Sequence, residues 1–133
     1  MADTLAPHRQ AAAAGPIDGE ELARYAAKAA IKLKAIRPVV LDLRGTAGYT
    51  DFFVIVSGSS NRHVTAIADA VIDSLAEVGV KPLGIEGYEF GRWVLIDCYS
   101  TVIHIFQPEV REFYDLDGFW SQAERLPIDD LVD

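Results

Sequence analysis

Five apolar residues in a row, at positions 52–56, lead directly into a glycine-serine turn and then into a segment with helical periodicity. The run has no polar residue at alternate positions, which indicates a strand covered on both faces rather than one open to water. The polar residues 58–63 would then lie at the carboxyl end of this strand, where α/β sheets usually meet ligands and partners. The sequence therefore predicts a buried strand that ends in a polar tip at the surface.

Two longer helices are predicted, one before this strand in the sequence and one after it. The first begins at the capping residue Asp18 and continues with helical spacing of apolar residues until Pro38 stops it. The second takes its N-cap from Ser60 or Asn61 and ends at Gly79. Both patterns place one apolar stripe on the helix, as expected for helices that pack on a sheet.

The remaining patterns complete an α/β fold. Strands are predicted at residues 39–43, 52–56, 83–85, 93–97 and 102–106, and a short third helix starts at Pro108. The order is helix, strand, strand, helix, strand, strand, strand, helix. This order implies a mixed sheet of about five strands with flanking helices.

The length of 133 residues suits one domain and is too short for two comfortable cores. Residues 1–17 are rich in alanine and lack a sustained apolar period, so we predict a mobile lead-in that carries no chemistry. The domain is predicted to span residues 18–126. Residues 127–133 are predicted to form an acidic tail.

The charge of the chain bears on its partners. The formal net charge is −8, and residues 108–133 alone carry −6. Lysines cluster only at Lys28, Lys32 and Lys34 on the first predicted helix, which disfavours direct binding of nucleic acid. An acidic surface suits a basic protein partner, although acidity also serves solubility alone.

Compartment signals favour the cytoplasm. Cys98 is the only cysteine, which excludes an intrachain disulfide, and the first residues lack the features of a secretory signal. No run approaches the roughly twenty apolar residues that cross a bilayer, so we predict no membrane partner.

The turn Gly58-Ser59-Ser60 is a candidate anion site, because backbone amides at a helix start can bind phosphate. The sequence contains no Walker A lysine, no G-x-G-x-x-G and no G-x-S-x-G motif. The pattern therefore favours a turn that caps the second helix.

A nucleotidyltransferase would combine such a turn with two carboxylates, one residue apart on a neighbouring strand, that hold magnesium. The strand that begins at Trp93 carries Asp97 but has Leu95 where the second carboxylate should be. His104 on the next strand lies between two isoleucines, again without an acid. One carboxylate cannot hold two metal ions, so we predict no catalytic residue, no metal and no cofactor.

The three histidines, His8, His63 and His104, belong to different segments, and no cysteine has ligand spacing to them. This arrangement argues against a metal site or nucleophilic catalysis. His104 alternates with apolar neighbours and is predicted to be a hydrogen-bonded residue at a sheet surface. His63, beside Arg62 at a helix start, is predicted to be exposed and available for recognition.

A protein-binding face is a further candidate, after the anion site, the nucleotidyltransferase site and the histidine site. It would combine Arg62 and His63 with the loop 86–93 and the aromatic segment 113–120. Tryptophan, tyrosine and arginine are the residues that most often carry interface energy.

The aromatic residues of this face divide into two groups by their spacing. Phe113 and Phe119 lie at helical spacing from apolar neighbours and are expected in the core. We expect Tyr88, Trp93 and Tyr114 to be the more exposed members.

Six separated blocks of the sequence, in the expected order, resemble the ribosomal silencing factors, also called the iojap-like proteins of bacteria and organelles. The blocks are LDLRG from Leu41, TDFFVIVSGSSNRHV from Thr50, PLGIEG from Pro82, GRWVLID from Gly91, VIHIF from Val102 and REFYDLDGFW from Arg111. The resemblance spans roughly residues 22–126. It implies a fold similar to the nucleotidyltransferases but without their catalytic carboxylates.

The resemblance also implies a non-enzymatic translation inhibitor. Such proteins are understood to bind the large ribosomal subunit through its protein numbered fourteen, at the intersubunit face, and so to hinder joining of the small subunit. By resemblance, eight residues form the partner surface: Arg62, His63, Glu86, Tyr88, Trp93, Asp97, His104 and Tyr114.

Two alternatives remain open from the sequence. A magnesium-dependent nucleotidyltransferase would use Ser59 and Asp97. A self-associating domain would use the aromatic surface to form a homodimer, and dimerisation of the free protein could hide part of the partner surface.

Overall fold

Six strands form one mixed sheet within the described residues, 17–46, 48 and 50–132, and helices lie on both of its faces. The elements of this computed structural model are α1 (Gly19–Lys32), β1 (Ile36–Asp42), β2 (Phe52–Ser57), α2 (Asn61–Glu77), β3 (Gly84–Glu86), β4 (Trp93–Cys98), β5 (Thr101–Phe106), α3 (Pro108–Tyr114), α4 (Leu116–Phe119) and β6 (Glu124–Arg125). The strand order across the sheet is β3-β4-β5-β2-β1-β6. The predicted mixed α/β fold with flanking helices is confirmed.

The central strand is β2, which pairs with β1 in antiparallel and with β5 in parallel orientation. All six of its residues are buried, and so are all six residues of β5. Burial on both faces explains why neither strand alternates apolar with polar residues. Strands β1 and β2 form a hairpin, and the predicted fully buried strand is confirmed.

Side chains from the central strands divide between two hydrophobic clusters, one on each face of the sheet. On the face that we call the helix face, Val54 and Ile105 pack with α1 and α2. On the opposite face, which we call the aromatic face, Phe53 and Phe106 pack with residues from the segment 108–123. Each face therefore needs its own covering layer.

Alanine residues allow α1 to lie close to α2 and the sheet. The buried alanines of this helix are Ala23, Ala26, Ala27, Ala29 and Ala30. The side chain of Asp18 accepts a hydrogen bond from the backbone N–H of Glu21 at 2.8 Å, as the capping pattern predicts.

The prediction that the first helix continues to Pro38 is wrong, because α1 ends at Lys32. The backbone turns at Lys34, which adopts a left-handed φ of 62°. Pro38 belongs to β1, and the register of that strand is irregular between Ile36 and Val39. Proline has no backbone N–H, and an irregular position in a strand ladder tolerates its loss.

The predicted second helix is confirmed with Ser60 as its N-cap. The side chain of Ser60 accepts a hydrogen bond from the backbone N–H of His63 at 3.1 Å. Gly79 follows the helix with a φ of +78°, the left-handed conformation that often ends helices.

The chain after α3 contains elements that the sequence did not predict. Two-residue β6 pairs with the edge of β1, so the sheet has six strands rather than about five. Beyond it, Ile128 and Leu131 pack against the helix-face cluster, and Arg24 donates to the carbonyl of Pro127 at 2.9 Å and pairs with Asp130.

The predicted domain limits, 18–126, stay a prediction, and residues 1–16 of the predicted lead-in and Asp133 lie outside the described residues. Among the residues that the structure describes, no helix is long and apolar enough to cross a membrane.

Gly87 and Gly45 provide a test of the packing around β4. Both have positive φ, 79° and 82°, but an added Cβ at Gly87 would lie 2.0 Å from the carbonyl oxygen of Trp93, whereas Gly45 has open space. The left-handed conformation alone costs an alanine about 1–2 kcal/mol. In urea denaturation, we expect Gly87→Ala to lower the free energy of unfolding at least about twice as much as Gly45→Ala does. Equal losses would contradict the close approach at Gly87.

Candidate functional site

Aromatic rings cluster on the aromatic face of the sheet around Trp93. The Trp93 ring stacks on Phe106 with centroids 4.8 Å apart, and Tyr114 of α3 approaches it at 4.9 Å. Farther along the same face, Trp120 meets Phe53 edge-on at 6.1 Å. Such pairs stabilise beyond the area that they bury, so the rings fix one another.

The covering layer of the aromatic face reaches only part of the sheet. Leu116, Trp120 and Ala123 pack against the buried cluster formed by β1, β2 and β5. On β4, by contrast, Trp93, Leu95 and Asp97 remain half-buried while their alternating neighbours are fully buried. The β3–β4 side of this face is therefore only partly covered.

Strand register brings several predicted site residues together on this uncovered side. Glu86 of β3 lies opposite Leu95 of β4, and Leu95 lies opposite His104 of β5. Residues opposite each other project to the same face of a sheet. We call the group Glu86, Trp93, Leu95, Asp97 and Tyr114 the open aromatic surface.

His104 lies beneath this surface and is only 4% exposed. Trp93 Nε1–H donates to His104 Nδ1 at 3.1 Å, so the proton of the neutral ring is on Nε2, and Nε2 has no hydrogen-bond partner. Burial lowers the pKa of His104 to about 3. The predicted hydrogen bond of this histidine is confirmed, but its predicted place at a sheet surface is wrong. In this position it orients Trp93.

The other predicted site residues lie apart from the open aromatic surface. Arg62 is exposed at the start of α2. The hydroxyl of Tyr88 donates to Asp69 of α2 at 2.8 Å, and both residues line a groove of about 550 Å³ beside that helix. The eight predicted residues therefore do not form one continuous cluster.

His63 has a structural task. Its Nδ1 accepts a hydrogen bond from the backbone N–H of Ser59 at 2.9 Å, and its Nε2 lies 2.7 Å from the carbonyl oxygen of Leu33. The first bond closes the turn before α2, and the second ties the start of α2 to the end of α1. The ring is half-buried and both nitrogens are engaged, so the prediction that it is exposed for recognition is wrong.

Exposure of the aromatic residues differs from the prediction in two respects. Phe113 and Phe119, expected in the core, are 80% and 75% exposed. The inward side of α3 is occupied by Val110 and Arg111 instead, which turns Phe113 outward. Trp93 is half-buried because Phe106 and Tyr114 pack on it, whereas Tyr114 itself is 53% exposed.

Arg111 and Leu95 are the site residues that sequence reasoning missed. Arg111 is 1% exposed, although its charge suggests a surface position. The only signal in the sequence is its place beside Val110 at an inward position of a short helix. In the sequence, Leu95 indicates only that a second carboxylate is missing from its strand.

Two of the three backbone amides in the Gly58-Ser59-Ser60 turn already donate within the protein. The N–H of Gly58 donates to the carbonyl of Phe106 at 2.8 Å, and the N–H of Ser59 donates to His63. The interpretation as a turn that caps α2 is confirmed. In the part of the chain that the structure describes, no group of three or more histidine, cysteine, aspartate or glutamate residues could hold a metal ion.

Ser59 and Asp97 lie at opposite ends of the sheet. Asp97 is opposite Val102, and Val102 is opposite Phe53 at the start of β2. Ser59 follows the other end of β2, so at roughly 3.3 Å per residue the two are about 20 Å apart. They cannot share one magnesium ion.

The fold and the site define a small α/β domain with a partly uncovered aromatic sheet face. A crystal structure of a Chromobacterium violaceum protein has the same fold, with a TM-score of 0.77, 33% identity, and coverage of 79% of this chain and 88% of that one. The family model described as ribosomal silencing factor during starvation matches residues 16–133. The chain belongs to this family, and the resemblance seen in the sequence is confirmed.

Curated relatives agree with this assignment. A ribosomal silencing factor from Halalkalibacterium halodurans is 34% identical over 116 residues, which cover 87% of this chain and 99% of the relative. A mouse protein named mitochondrial assembly of ribosomal large subunit protein 1 is 37% identical over 98 residues, which cover 63% of this chain and 43% of the mouse protein.

The buried neutral state of His104 predicts a pH dependence of stability. Its folded pKa of about 3 lies below the ordinary 6.5, so the unfolded chain binds the proton first and stability falls as the pH drops below 6.5. This contribution is absent in His104→Phe. The free energy of unfolding of the wild type, relative to that of the variant, should therefore fall by about 2 kcal/mol between about pH 7.5 and about pH 5. Urea denaturation at both pH values measures it, and parallel pH profiles would contradict the buried neutral histidine.

Proposed function

We propose that this protein is a non-enzymatic translation inhibitor that acts in the cytoplasm and binds the large ribosomal subunit. Its partner there would be the protein numbered fourteen in the large-subunit series, at the intersubunit face. Occupation of that face would block joining of the small subunit. Membership of the silencing-factor family and the name of the mouse relative, which refers to the large ribosomal subunit, support the proposal.

The open aromatic surface is the single observation that carries the choice of binding site. It presents a half-buried tryptophan, Trp93, with an exposed tyrosine, Tyr114, beside it and an apolar residue, Leu95, next in line. Tryptophan and tyrosine in a partly desolvated setting are the residues that most often dominate binding energy. Because neighbouring rings hold them in place, little conformational freedom would be lost on binding.

Charge supports a protein partner over RNA. Glu86 and Asp97 flank the apolar centre of the surface, and the chain as a whole carries −8. Carboxylates repel the phosphates of RNA and attract lysine and arginine. A basic ribosomal protein is therefore the partner that this surface fits.

Inhibition by this mechanism is competition for a surface rather than turnover of a substrate. Each 1.4 kcal/mol of affinity for the free large subunit changes the dissociation constant about tenfold. The degree of inhibition should follow the concentration of the protein and its affinity. The separation of Ser59 from Asp97 argues against magnesium-dependent nucleotidyl transfer, although we infer that the fold is nucleotidyltransferase-like.

A homodimer of the free protein is a second proposal, favoured by the exposure of Phe113 and Phe119 beside the covering layer. Two copies that paired through these rings would remove apolar surface from water. Light scattering over a range of concentrations would show an increase in mass, and a constant monomer mass would exclude the dimer.

Trp93→Ala and Tyr114→Ala test the binding site. Loss of an interface anchor typically costs about 2 kcal/mol or more, which corresponds to roughly thirtyfold weaker binding. In cosedimentation with purified large subunits, we expect each variant to bind roughly thirtyfold more weakly than the wild type. Phe90→Ala is the matched control, since Phe90 is 75% exposed but lines the groove beside α2. Wild-type binding by a folded Trp93→Ala variant, or an equal loss in Phe90→Ala, would remove the open aromatic surface from the proposal.

A further inference from the structure

Arg111 places a guanidinium group inside the protein beneath the covering layer of the aromatic face. Its side chain donates from Nε and Nη2 to the two carboxylate oxygens of Asp117, at 3.0 and 2.8 Å. From Nη1 it donates to Ser57 Oγ at 3.1 Å and reaches the carbonyl oxygen of Ile36 at 3.4 Å. One side chain on α3 therefore joins α4, the end of β2 and the start of β1.

The paired residue, Asp117, lies on a very short helix whose apolar contact with the sheet comes from the partly buried Leu116. α4 contains only four residues and buries none of them. A helix of this length is not stable on its own and takes its position from its contacts. The bidentate bond to Arg111 is a contact with fixed direction, because the planar guanidinium matches the carboxylate.

The turn between α3 and α4 is also tightly specified. Asp115 adopts a left-handed φ of 50°, and its side chain accepts a hydrogen bond from the N–H of Gly118 at 3.0 Å. A Cβ at Gly118 would lie 2.2 Å from that carboxylate. The turn thus holds the two helices at one angle, and the Arg111–Asp117 ion pair anchors that angle to the sheet.

Two ring positions depend on this arrangement. Tyr114 follows Arg111 by one helical turn and packs on Trp93, whereas Trp120 follows Asp117 and packs on Phe53. Arg111 lies on the same helix as Tyr114, and Asp117 lies on the helix that leads into Trp120. Loss of the ion pair would therefore change how both helices, and with them both rings, lie on the sheet.

We propose that the ion pair between the buried Arg111 and the half-buried Asp117 is a positioning device that holds α3 and α4 at the angle required for the open aromatic surface. This inference rests on the proposed function, since it assigns a role in binding to residues that do not touch the partner. It identifies Arg111 and Asp117 as positioning residues and Tyr114 as the contact residue that they place.

Stability alone does not account for a buried ion pair. Removing two charges from water is costly, and well-packed apolar residues of similar size are often equally stabilising. An apolar pair, however, has no preferred direction. The pair Arg111→Met with Asp117→Leu should therefore keep the fold while leaving the angle of α4 unspecified.

Binding of large subunits provides the first test, measured at a temperature where every variant is folded. We expect Asp117→Asn, and the double variant Arg111→Met with Asp117→Leu, to bind about tenfold more weakly than the wild type. Arg111→Lys keeps the charge but loses the bidentate geometry, so it should be impaired as well.

Two control variants separate positioning from general destabilisation. Ile67→Val removes a methylene group from the helix-face core, and Asp130→Asn breaks the exposed ion pair with Arg24. The free energies of unfolding of both controls and of Asp117→Asn are measured first, so that losses of stability can be compared. Both controls should then bind large subunits within about twofold of the wild-type affinity. If Asp117→Asn binds no more weakly than Ile67→Val, the positioning role is overturned.

Fluorine NMR provides a readout that needs no ribosome. The chain has two tryptophans, so labelling with 5-fluorotryptophan gives two signals, which Trp93→Phe and Trp120→Phe assign. Asp117→Asn should shift or broaden the Trp120 signal and, through the contact with Tyr114, the Trp93 signal. Ile67→Val and Asp130→Asn should leave both signals unchanged. An unchanged Trp120 signal in Asp117→Asn would overturn the inference even if the wild type binds ribosomes. Failure of the wild type to bind would remove the proposed function and the role in binding, while the spectra would still decide whether the ion pair positions the ring.

Discussion

Burial of β2 on both faces is the constraint on which the rest of the structure depends. A strand with six buried residues at the centre of the sheet requires a covering layer above and another below. Two long helices, α1 and α2, provide the first layer on the helix face. The second layer is built from shorter pieces, α3 and α4 and the chain that leads into β6. It covers β5, β2 and β1 but reaches the β3–β4 side only in part.

The unequal extent of the two covering layers explains why the open aromatic surface is accessible to solvent. The residues of β4 that face the short layer are half-buried, whereas their neighbours that face the long helices are fully buried. The rings of Trp93 and Tyr114 therefore combine a fixed position with access to solvent. This combination suits a protein interface, because anchors that are already ordered lose little entropy on binding.

Directional polar contacts compensate for the small size of the second layer. Beneath it, Trp93 donates to the neutral His104, and Arg111 holds Asp117. Apolar packing specifies volume but not direction, whereas these hydrogen bonds fix angles. The unpaired Nε2 of His104 costs free energy, since a buried donor without a partner has lost its bonds to water.

Much of this architecture could be predicted from the sequence. The buried strand, the Ser60 cap and the mixed sheet follow from local patterns that tertiary contacts reinforce. The end of α1 could not be predicted, because Lys34 turns the chain in a left-handed conformation that its residue type rarely adopts. The six-stranded count was missed because β6 has only two residues and exists through its pairing with β1.

The site was less predictable than the fold, because the burial and the hydrogen bonds of its residues depend on contacts that are distant in the sequence. Nothing local in the sequence shows that Arg111 is buried and Phe113 exposed, because both outcomes depend on what lies beneath α3. The sequence predicts recognition for His63 and a place at a sheet surface for His104, yet hydrogen bonds from distant segments hold both. Long-range partners of this kind are visible only in three dimensions.

Photo-crosslinking from the two sides of the β3–β4 edge tests the central claim most directly. Leu95 projects to the open aromatic surface, whereas Ile85, opposite Ile96, belongs to the helix face. With benzoylphenylalanine in place of Leu95, we expect a crosslink to the protein numbered fourteen of the large subunit, and with the same group in place of Ile85 we expect none. A crosslink from position 85 but not from position 95 would contradict the account.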